Sequence, residues 1–368
     1  MKPALPRLGL GMAALGRPGY INLNRESILG NDRPVELMQK QADLVMDKLF
    51  ALSSSGEEDA WLDCARSYGL SEKFVGEYLR SRKIPADQVY VSSKWGYSKW
   101  TIFFCANNVA VAKFLRNPLA HFLLYFSTIP IFRPAYVADW NVSLEKGKPH
   151  EVKNHSTENF LKQVEESAEL LGEYINLYQI HSATFESGIL TDKKVHEALS
   201  KCKDERGWAI GLSVSSPKQK DVLREAMDIK STTKAESPLF DSVQCTFNLL
   251  EQRPAEALQE AHDQGMDIII KEGLANGRVL NHPSVIDYAK RLSCQPDQLA
   301  LGFILAQPFE PRVLSGAVTP EQLESNWKAR DVSNKLKNDP ALMKEIAAKC
   351  VMDSEEYWAE KFPGLELE

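Results

Sequence analysis

The chain has 368 residues, of which 43% are hydrophobic and 26% charged, with a net charge of −6 and a pI near 5.8. That length allows one large α/β barrel or two ordinary domains, and the composition is that of a soluble globular protein. The acidic balance, with no Lys/Arg cluster to reverse it, argues against a nucleic-acid binder. Six scattered cysteines (Cys64, Cys105, Cys202, Cys245, Cys294 and Cys350) form no C-x-x-C pair and no zinc spacing with histidine, so reduced thiols, a cytoplasmic location and no metal are expected. The start, "MKPALPRLGLGM", reaches strand-like sequence without an apolar h-region, so no secretory signal is expected.

In chain order, strand and helix patterns alternate. "RLGLGMAALG" reads as a strand ending in glycines. "PVELMQKQADLVMDKLFALSSSG" reads as a helix, with Leu37, Leu44, Val45, Leu49 and Phe50 at helical spacing. "AWLDCA" is a strand, and "SEKFVGEYLRSRKI" a helix with Ser71 and Glu72 in its first turn. "QVYVSSK" is a strand, "STENFLKQVEESAELLG" a helix opened by a Ser-x-x-Asn cap, and "INLYQIHSA" a strand. "DKKVHEALSKCKDERG" is a helix closed by Gly207, "AIGLSVSS" a strand, and "SPKQKDVLREAMD" a helix with Pro217 in its first turn. "DSVQCTFNLL", "RPAEALQEAHDQG" and "MDIIIKEGL" read as strand, helix, strand. One or two helices follow in "HPSVIDYAKRLSCQPDQLALGFILAQP", then the strand "RVLSGAV" and the helix "PEQLESNWKARD". The tail holds two more helices, roughly "NDPALMKEIAAKCV" and "SEEYWAEKF", packed outside the barrel or over one end.

Eight strands alternating with helices imply parallel pairing through crossovers. Over this length they fit a closed (β/α)8 barrel, the TIM-barrel architecture, as one domain spanning 1–368 with a C-terminal helical extension at 332–368. An open doubly wound sheet is the competitor, but no G-x-G-x-x-G joins a strand to a helix. One segment breaks the rhythm. Residues 100–134, between the third and fourth strands, are apolar and aromatic, yet charge and proline interrupt them too often for a membrane span. A hydrophobic lid, a membrane or partner patch, and translated non-coding sequence compete as its origin; its abrupt ends favour the last.

In a barrel of this kind the C-terminal strand ends carry the chemistry. The second strand ends at Asp63 with Tyr68 in the following loop, the third at Lys94, and the fourth at His181. A carboxylate, a phenol, an ammonium and an imidazole at one mouth form a proton-transfer set. A lysine cation beside the phenol favours its ionised form, the carboxylate holds the lysine charged, and the imidazole orients a carbonyl oxygen. Taken singly, each has an ordinary reading as a cap, a packing group, a solvated amine or a core histidine. The joint placement on three consecutive strand ends weighs against four such accidents. Trp95 and Tyr97 are either pocket walls or packing under a loop, and Cys64 is a small core residue rather than a redox switch.

With Asp-x-x-x-x-Tyr-Gly at Asp63, Tyr68 and Gly69, Lys94 ending the third strand and His181 the fourth, the chain resembles the aldo-keto reductases. The likeness continues through "IGLSVSS", "VQCTFN", "KEGLANGRV" and "VLSGAVTPEQLESN", to about Asp331. It implies hydride transfer between NADP(H), with NAD(H) possible, and a small-molecule aldehyde, ketone or sugar, with Tyr68 as general acid and Asp63, Lys94 and His181 completing the catalytic set. It further implies that Ser213 and Gln244 hold the nicotinamide carboxamide, and that Gly316, Ala317, Gln322 and Asn326 line the pyrophosphate and adenosine end. For Ser213 and Gln244 a structural hydrogen-bonding role competes, and for Gln322 and Asn326 helix capping does. The chain departs from many relatives where Gly316 and Gln322 replace cations that grip a 2′-phosphate, and where Val214 replaces an asparagine. Removing 100–134 also restores the family's shorter spacing between the lysine and the histidine. The alternative class is a nucleotide-binding regulatory or partner-binding subunit on the same fold.

Overall fold

The computed structural model describes residues 5–17, 34–56, 58–99 and 151–361. Among the described residues ten strands form: β1 Leu8–Gly11, β2 Ala60–Asp63, β3 Val89–Trp95, β4 Tyr97–Lys99, β5 Glu151–Lys153, β6 Ile175–Ala183, β7 Ala209–Val214, β8 Ser242–Thr246, β9 Asp267–Lys271 and β10 Arg312–Ser315. Eight of them close into an all-parallel barrel in the order β1-β10-β9-β8-β7-β6-β3-β2, and β4 with β5 makes a separate antiparallel hairpin. The fold is therefore the expected (β/α)8 barrel.

The sequence of β9, DIIIK, shows why the strands close as they do. Ile268 and Ile270 pack outward in the large core shared with the helices, while Ile269 meets Trp61, Leu177 and Leu314 from three other strands. Residues from strands that are not all neighbours can meet in this way only inside the barrel, so an apolar run serves both faces of one strand. Gly9 is forced by this packing: a Cβ there would lie 2.2 Å from the Trp61 ring. The floor is closed by Arg312, whose guanidinium lies 4.0 Å from the Trp61 ring centroid and 4.3 Å from that of Tyr90, and which pairs with Asp267 at 2.7 Å.

Helices cover the outside, among them α1 Ala13–Gly16, α2 Val35–Ser55, α3 Ser71–Arg82, α4 Thr157–Leu171, α5 Lys193–Arg206 and α6 Gln219–Met227. The Ser156 hydroxyl accepts the Asn159 N–H, as the Ser-x-x-Asn pattern predicts, and Gly207 ends α5 at φ 70°. Ser71 and Glu72 open α3 as expected, the Ser71 hydroxyl turning back to the Ala65 carbonyl. Three readings need correction. The first strand stops at Gly11, and "AALG" is a helical turn. Pro217 lies before α6, because the chain at 216–218 forms a turn first. "PEQLESNWKARD" is two helices, Pro320–Trp327 and Ala329–Lys337, so the C-terminal helices begin at Ala329.

Two further helices, Pro340–Cys350 and Ser354–Lys361, end the described chain. The last packs over the mouth: the Trp358 indole donates to Glu251 at 2.9 Å, and Asn248 donates to the Tyr357 hydroxyl at 3.0 Å. Asn248 and Glu251 follow β8, so the tail lies over one end of the barrel rather than along its side. No helix among the described residues is long and apolar enough to cross a membrane.

The segment 100–134 lies outside the described residues, as does the whole of 100–150. On either side of that stretch Lys99 pairs with Glu151, Ser98 with Val152 and Tyr97 with Lys153. The described chain therefore stops and resumes at adjacent positions, and strand pairs of this kind are commonly closed by a few residues. Deleting residues 100–134 leaves ample chain to span the pair, and loop-closure cost changes only slowly with length. The deletion protein is expected to fold with a urea midpoint close to that of the full chain. Failure to fold would mean that the barrel depends on the segment.

Candidate active site

The loop after β2 explains the five-residue spacing between Asp63 and Tyr68. The Cys64 N–H bonds the Ser92 carbonyl and the Arg66 N–H bonds the Lys94 carbonyl, which ties the loop to β3. The Tyr68 N–H then bonds back to the Ala65 carbonyl, so the chain turns once and sets the phenol over the end of its own strand. Gly69 follows at φ 60°, where a side chain would be strained and where its Cβ would also meet the Gly16 carbonyl at 2.3 Å.

Asp63 and Lys94 are buried and form a direct ion pair. Asp63 Oδ1 accepts the Ser92 hydroxyl at 2.7 Å and the Gln244 amide at 3.2 Å, while Lys94 Nζ donates to the Cys64 carbonyl at 3.0 Å. The carboxylate and the ammonium thus satisfy each other and most of their remaining hydrogen-bonding capacity, which is what allows two charges to stay out of water. Lys94 Nζ also lies 4.8 Å from the Tyr68 ring centroid.

Tyr68 and His181 are part-buried at the mouth and meet edge to face at 5.4 Å. Loss of water, followed by the nearby Asp63 charge, holds the Tyr68 phenol well above its ordinary value, while Arg17 acts in the opposite direction. This differs from the expectation that Lys94 would leave the phenol more acidic. Lys94 is held against Asp63, and desolvation together with the Asp63 charge dominates at Tyr68. Burial likewise holds His181 well below 6.5, helped by Lys94, Arg17, Lys271 and His155, so the imidazole is neutral. Its Nδ1 lies 2.9 Å from the Ser67 hydroxyl. A β-irregularity after Ile180, with Ser182 at φ 56°, turns the strand at this point, as bulges beside functional sites do.

Four of the ten sequence-predicted site residues, Asp63, Tyr68, Lys94 and His181, come together at one mouth. Ser213 and Gln244 are register partners on β7 and β8. The Ser213 hydroxyl accepts the Ser182 N–H at 2.9 Å, and Gln244 Oε1 is buried with no partner among the described residues. Gly316 and Ala317 follow β10, and the space a Cβ would take at Gly316 is open to 4 Å. Gln322 and Asn326 are engaged within that loop: Gln322 Oε1 accepts the Val318 N–H at 2.9 Å, and Asn326 bonds Ser315 and Asp297, both at 2.7 Å. Of the two aromatics after Lys94, Trp95 is fully buried against His155 and Phe160, whereas Tyr97 meets His181 edge to face at 5.0 Å. The Cys64 thiol is buried and pushed well up, so it is unreactive.

Sequence reasoning missed Ser67, His155 and Arg17. Ser67 and Arg17 belong to no motif, and only the neighbouring of β1 and β2 brings Arg17 near. His155 arrives through the β4–β5 hairpin, whose partners are far apart in sequence. Its Nε2 lies 2.9 Å from the His181 carbonyl, and it packs on Gly96, where a Cβ would be 2.6 Å from the imidazole.

A stability prediction follows from His155. Its Nδ1 is buried without a partner among the described residues, so a second ring proton would be unsatisfied, and burial lowers its pKa to about 4. The unfolded chain takes up that proton below about 6.5 and the folded chain does not. Stability is therefore full above that value and falls as the pH drops toward 4, by roughly 3 kcal/mol from this residue. Urea unfolding at pH 7 and pH 5 should show a shallower pH dependence in His155→Gln than in the parent. Equal slopes would contradict the assignment.

The comparisons with known proteins bear on the fold and the family. No curated protein sequence matches the chain. Among solved structures, aldo-keto reductase AKR11C1 from Bacillus halodurans, in its holo form, is similar at a TM-score of 0.58 and 19% identity, covering 94% of each chain. A Pseudomonas aeruginosa protein described as an aldo-keto reductase is similar at a TM-score of 0.54 and 19% identity, over 90% of this chain and 94% of its own. At that identity the likeness speaks for the fold. The model of the aldo/keto reductase family matches residues 8–348, and the chain accordingly belongs to the aldo/keto reductase family of oxidoreductases.

Proposed function

We propose that the protein reduces a small aldehyde or ketone at the expense of a nicotinamide cofactor, NADP(H) or NAD(H), with Tyr68 as the proton donor. The observation that carries this reading is the convergence of a desolvated phenol, a neutral imidazole and a buried ion pair at the C-terminal end of three consecutive barrel strands. The cofactor fits two features of the mouth. The orphaned Gln244 Oε1 would accept from a carboxamide N–H, and the open space over Gly316 leaves room for a phosphate. When bound, the dihydronicotinamide supplies the hydride.

The chain's own residues supply the rest. His181 is neutral, so it can present one ring N–H to a carbonyl oxygen without carrying charge into the site. The carbonyl carbon becomes tetrahedral and its oxygen gains negative charge, and Tyr68 gives that oxygen its proton. A phenol held above its ordinary pKa is fully protonated at neutral pH, which is the form reduction requires. Lys94, held in place by Asp63 at 4.8 Å from the ring centroid, stabilises the phenolate left behind until it recovers a proton from water at the part-open mouth. Run backward, the same set oxidises an alcohol or a sugar hydroxyl.

Tyr68→Phe keeps the ring and removes only the proton donor. Steady-state oxidation of NADPH and NADH with a panel of aldehydes should show turnover in the parent, and in the variant a loss of at least about a hundredfold with cofactor binding retained. Parent-like turnover in Tyr68→Phe would refute the reading.

Cofactor discrimination follows from the residues after β10. Gly316 and Gln322 offer no charge to a 2′-phosphate, and Arg330 is held in a two-pronged pair with Glu58 at 2.8 and 2.7 Å. Dissociation constants for NADPH and NADH measured by fluorescence quenching are expected within about tenfold of each other, since one charge-assisted contact is worth about that factor or more. NADPH binding a thousandfold tighter would mean that another cation grips the phosphate.

A further inference from the structure

We propose that Arg17 is a positioning residue of the catalytic set, a second cation beside Tyr68 that sets its acidity. This rests on the reading of Tyr68 as the proton donor. Arg17 is 2% exposed, and its guanidinium carbon lies 5.7 Å from the Tyr68 ring centroid. A buried arginine beside a phenol at a strand mouth carries a charge that water cannot screen.

The backbone holds it there. The Gly16 carbonyl accepts the Leu70 N–H at 3.0 Å, which staples the end of α1 to the residue two beyond Tyr68. The two segments touch so closely that neither Gly16 nor Gly69 can carry a side chain: a Cβ on Gly16 would be 2.3 Å from the Tyr68 carbonyl, and one on Gly69 would be 2.3 Å from the Gly16 carbonyl. The Arg17 stem lies beside Gly69, its Cγ at 3.4 Å from the position of that second Cβ. Arg17 is thereby fixed relative to Tyr68 by the same loop that fixes Tyr68 relative to Asp63.

Among the described residues, the other charged and titratable groups around the phenol come from several elements. Asp63 ends β2, Lys94 lies next to the end of β3, before Trp95, Tyr97 comes from the hairpin, His181 from β6, and Glu272 follows β9. Asp63 and Glu272 oppose ionisation of the phenol, and Arg17 favours it. Arg17 thus favours the phenolate formed as Tyr68 gives up its proton, and in the alcohol-oxidising direction it favours the phenolate that must accept one.

The test is the pH profile of turnover in both directions for the full-length parent, Arg17→Gln and Arg17→Lys, with Tyr68→Phe as reference. In Arg17→Gln the rise of alcohol oxidation with pH should move up by about one unit, the shift expected on losing a charge at this range, and the alkaline fall of reduction should move with it. Arg17→Lys keeps the charge and should stay within a few tenths of a unit of the parent. Arg17→Met keeps the stem against Gly69 and serves as the neutral variant if the glutamine protein does not fold. Neutral variants that lose rate uniformly, with unmoved pH midpoints, would overturn the assignment and mark Arg17 as structural. Such an outcome leaves the role of Tyr68 standing if Tyr68→Phe is inactive. An active Tyr68→Phe would instead remove the reading on which the proposal rests.

Discussion

The Asp63–Lys94 ion pair is the constraint around which the rest of the mouth is arranged. Two opposite charges sit inside a closed barrel with almost no exposure to water. Such a pair survives only if its remaining lone pairs and protons are also satisfied, because desolvation costs several kcal/mol per ion. Ser92, Gln244 and the Cys64 carbonyl do this, and Trp61 in turn donates to Ser92 at 3.0 Å. A hydrogen-bonded line thus runs from an indole packed in the barrel interior to the lysine under the phenol. The inner packing, with Gly9 left bare for Trp61 and Arg312 stacked below, is what keeps that line in register.

Above the pair the electrostatics diverge, and the proposed roles rest on that divergence. The same burial holds the phenol protonated and the imidazole neutral, since it disfavours the charged form of each. One fold therefore presents a proton donor and an uncharged hydrogen-bond donor side by side at neutral pH. The loop after β1 and the β4–β5 hairpin, neither of which supplies a residue of the family motif, bring Arg17 and His155 against these two groups.

Much of this was legible in the sequence, and the reasons differ by element. The strands INLYQIHSA and MDIIIK announce themselves as apolar runs because a barrel strand is covered on both faces, and their order fixes which ends meet. Asp63, Tyr68, Lys94 and His181 could be placed together because each lies at or just past a strand end. What could not be read were contacts made by backbone docking. The Gly16–Gly69 approach that carries Arg17 to Tyr68 depends on two glycines that look like ordinary turn residues. Breaks inside helical patterns, as at Lys328, were also hidden, since both halves keep helical periodicity. The sign of the Tyr68 shift was missed because sequence shows a lysine beside a tyrosine but not the burial of the phenol, which outweighs it.

The most direct test of the account is a double-mutant cycle on the ion pair, read by urea unfolding of Asp63→Asn, Lys94→Met and the two together. If each charge is buried and held by the other, each single change strands its partner and should cost about 3–5 kcal/mol, while the double variant should cost clearly less than the sum of the two. Strictly additive losses would show that the two charges do not depend on each other, and would contradict the arrangement on which the proposed chemistry stands.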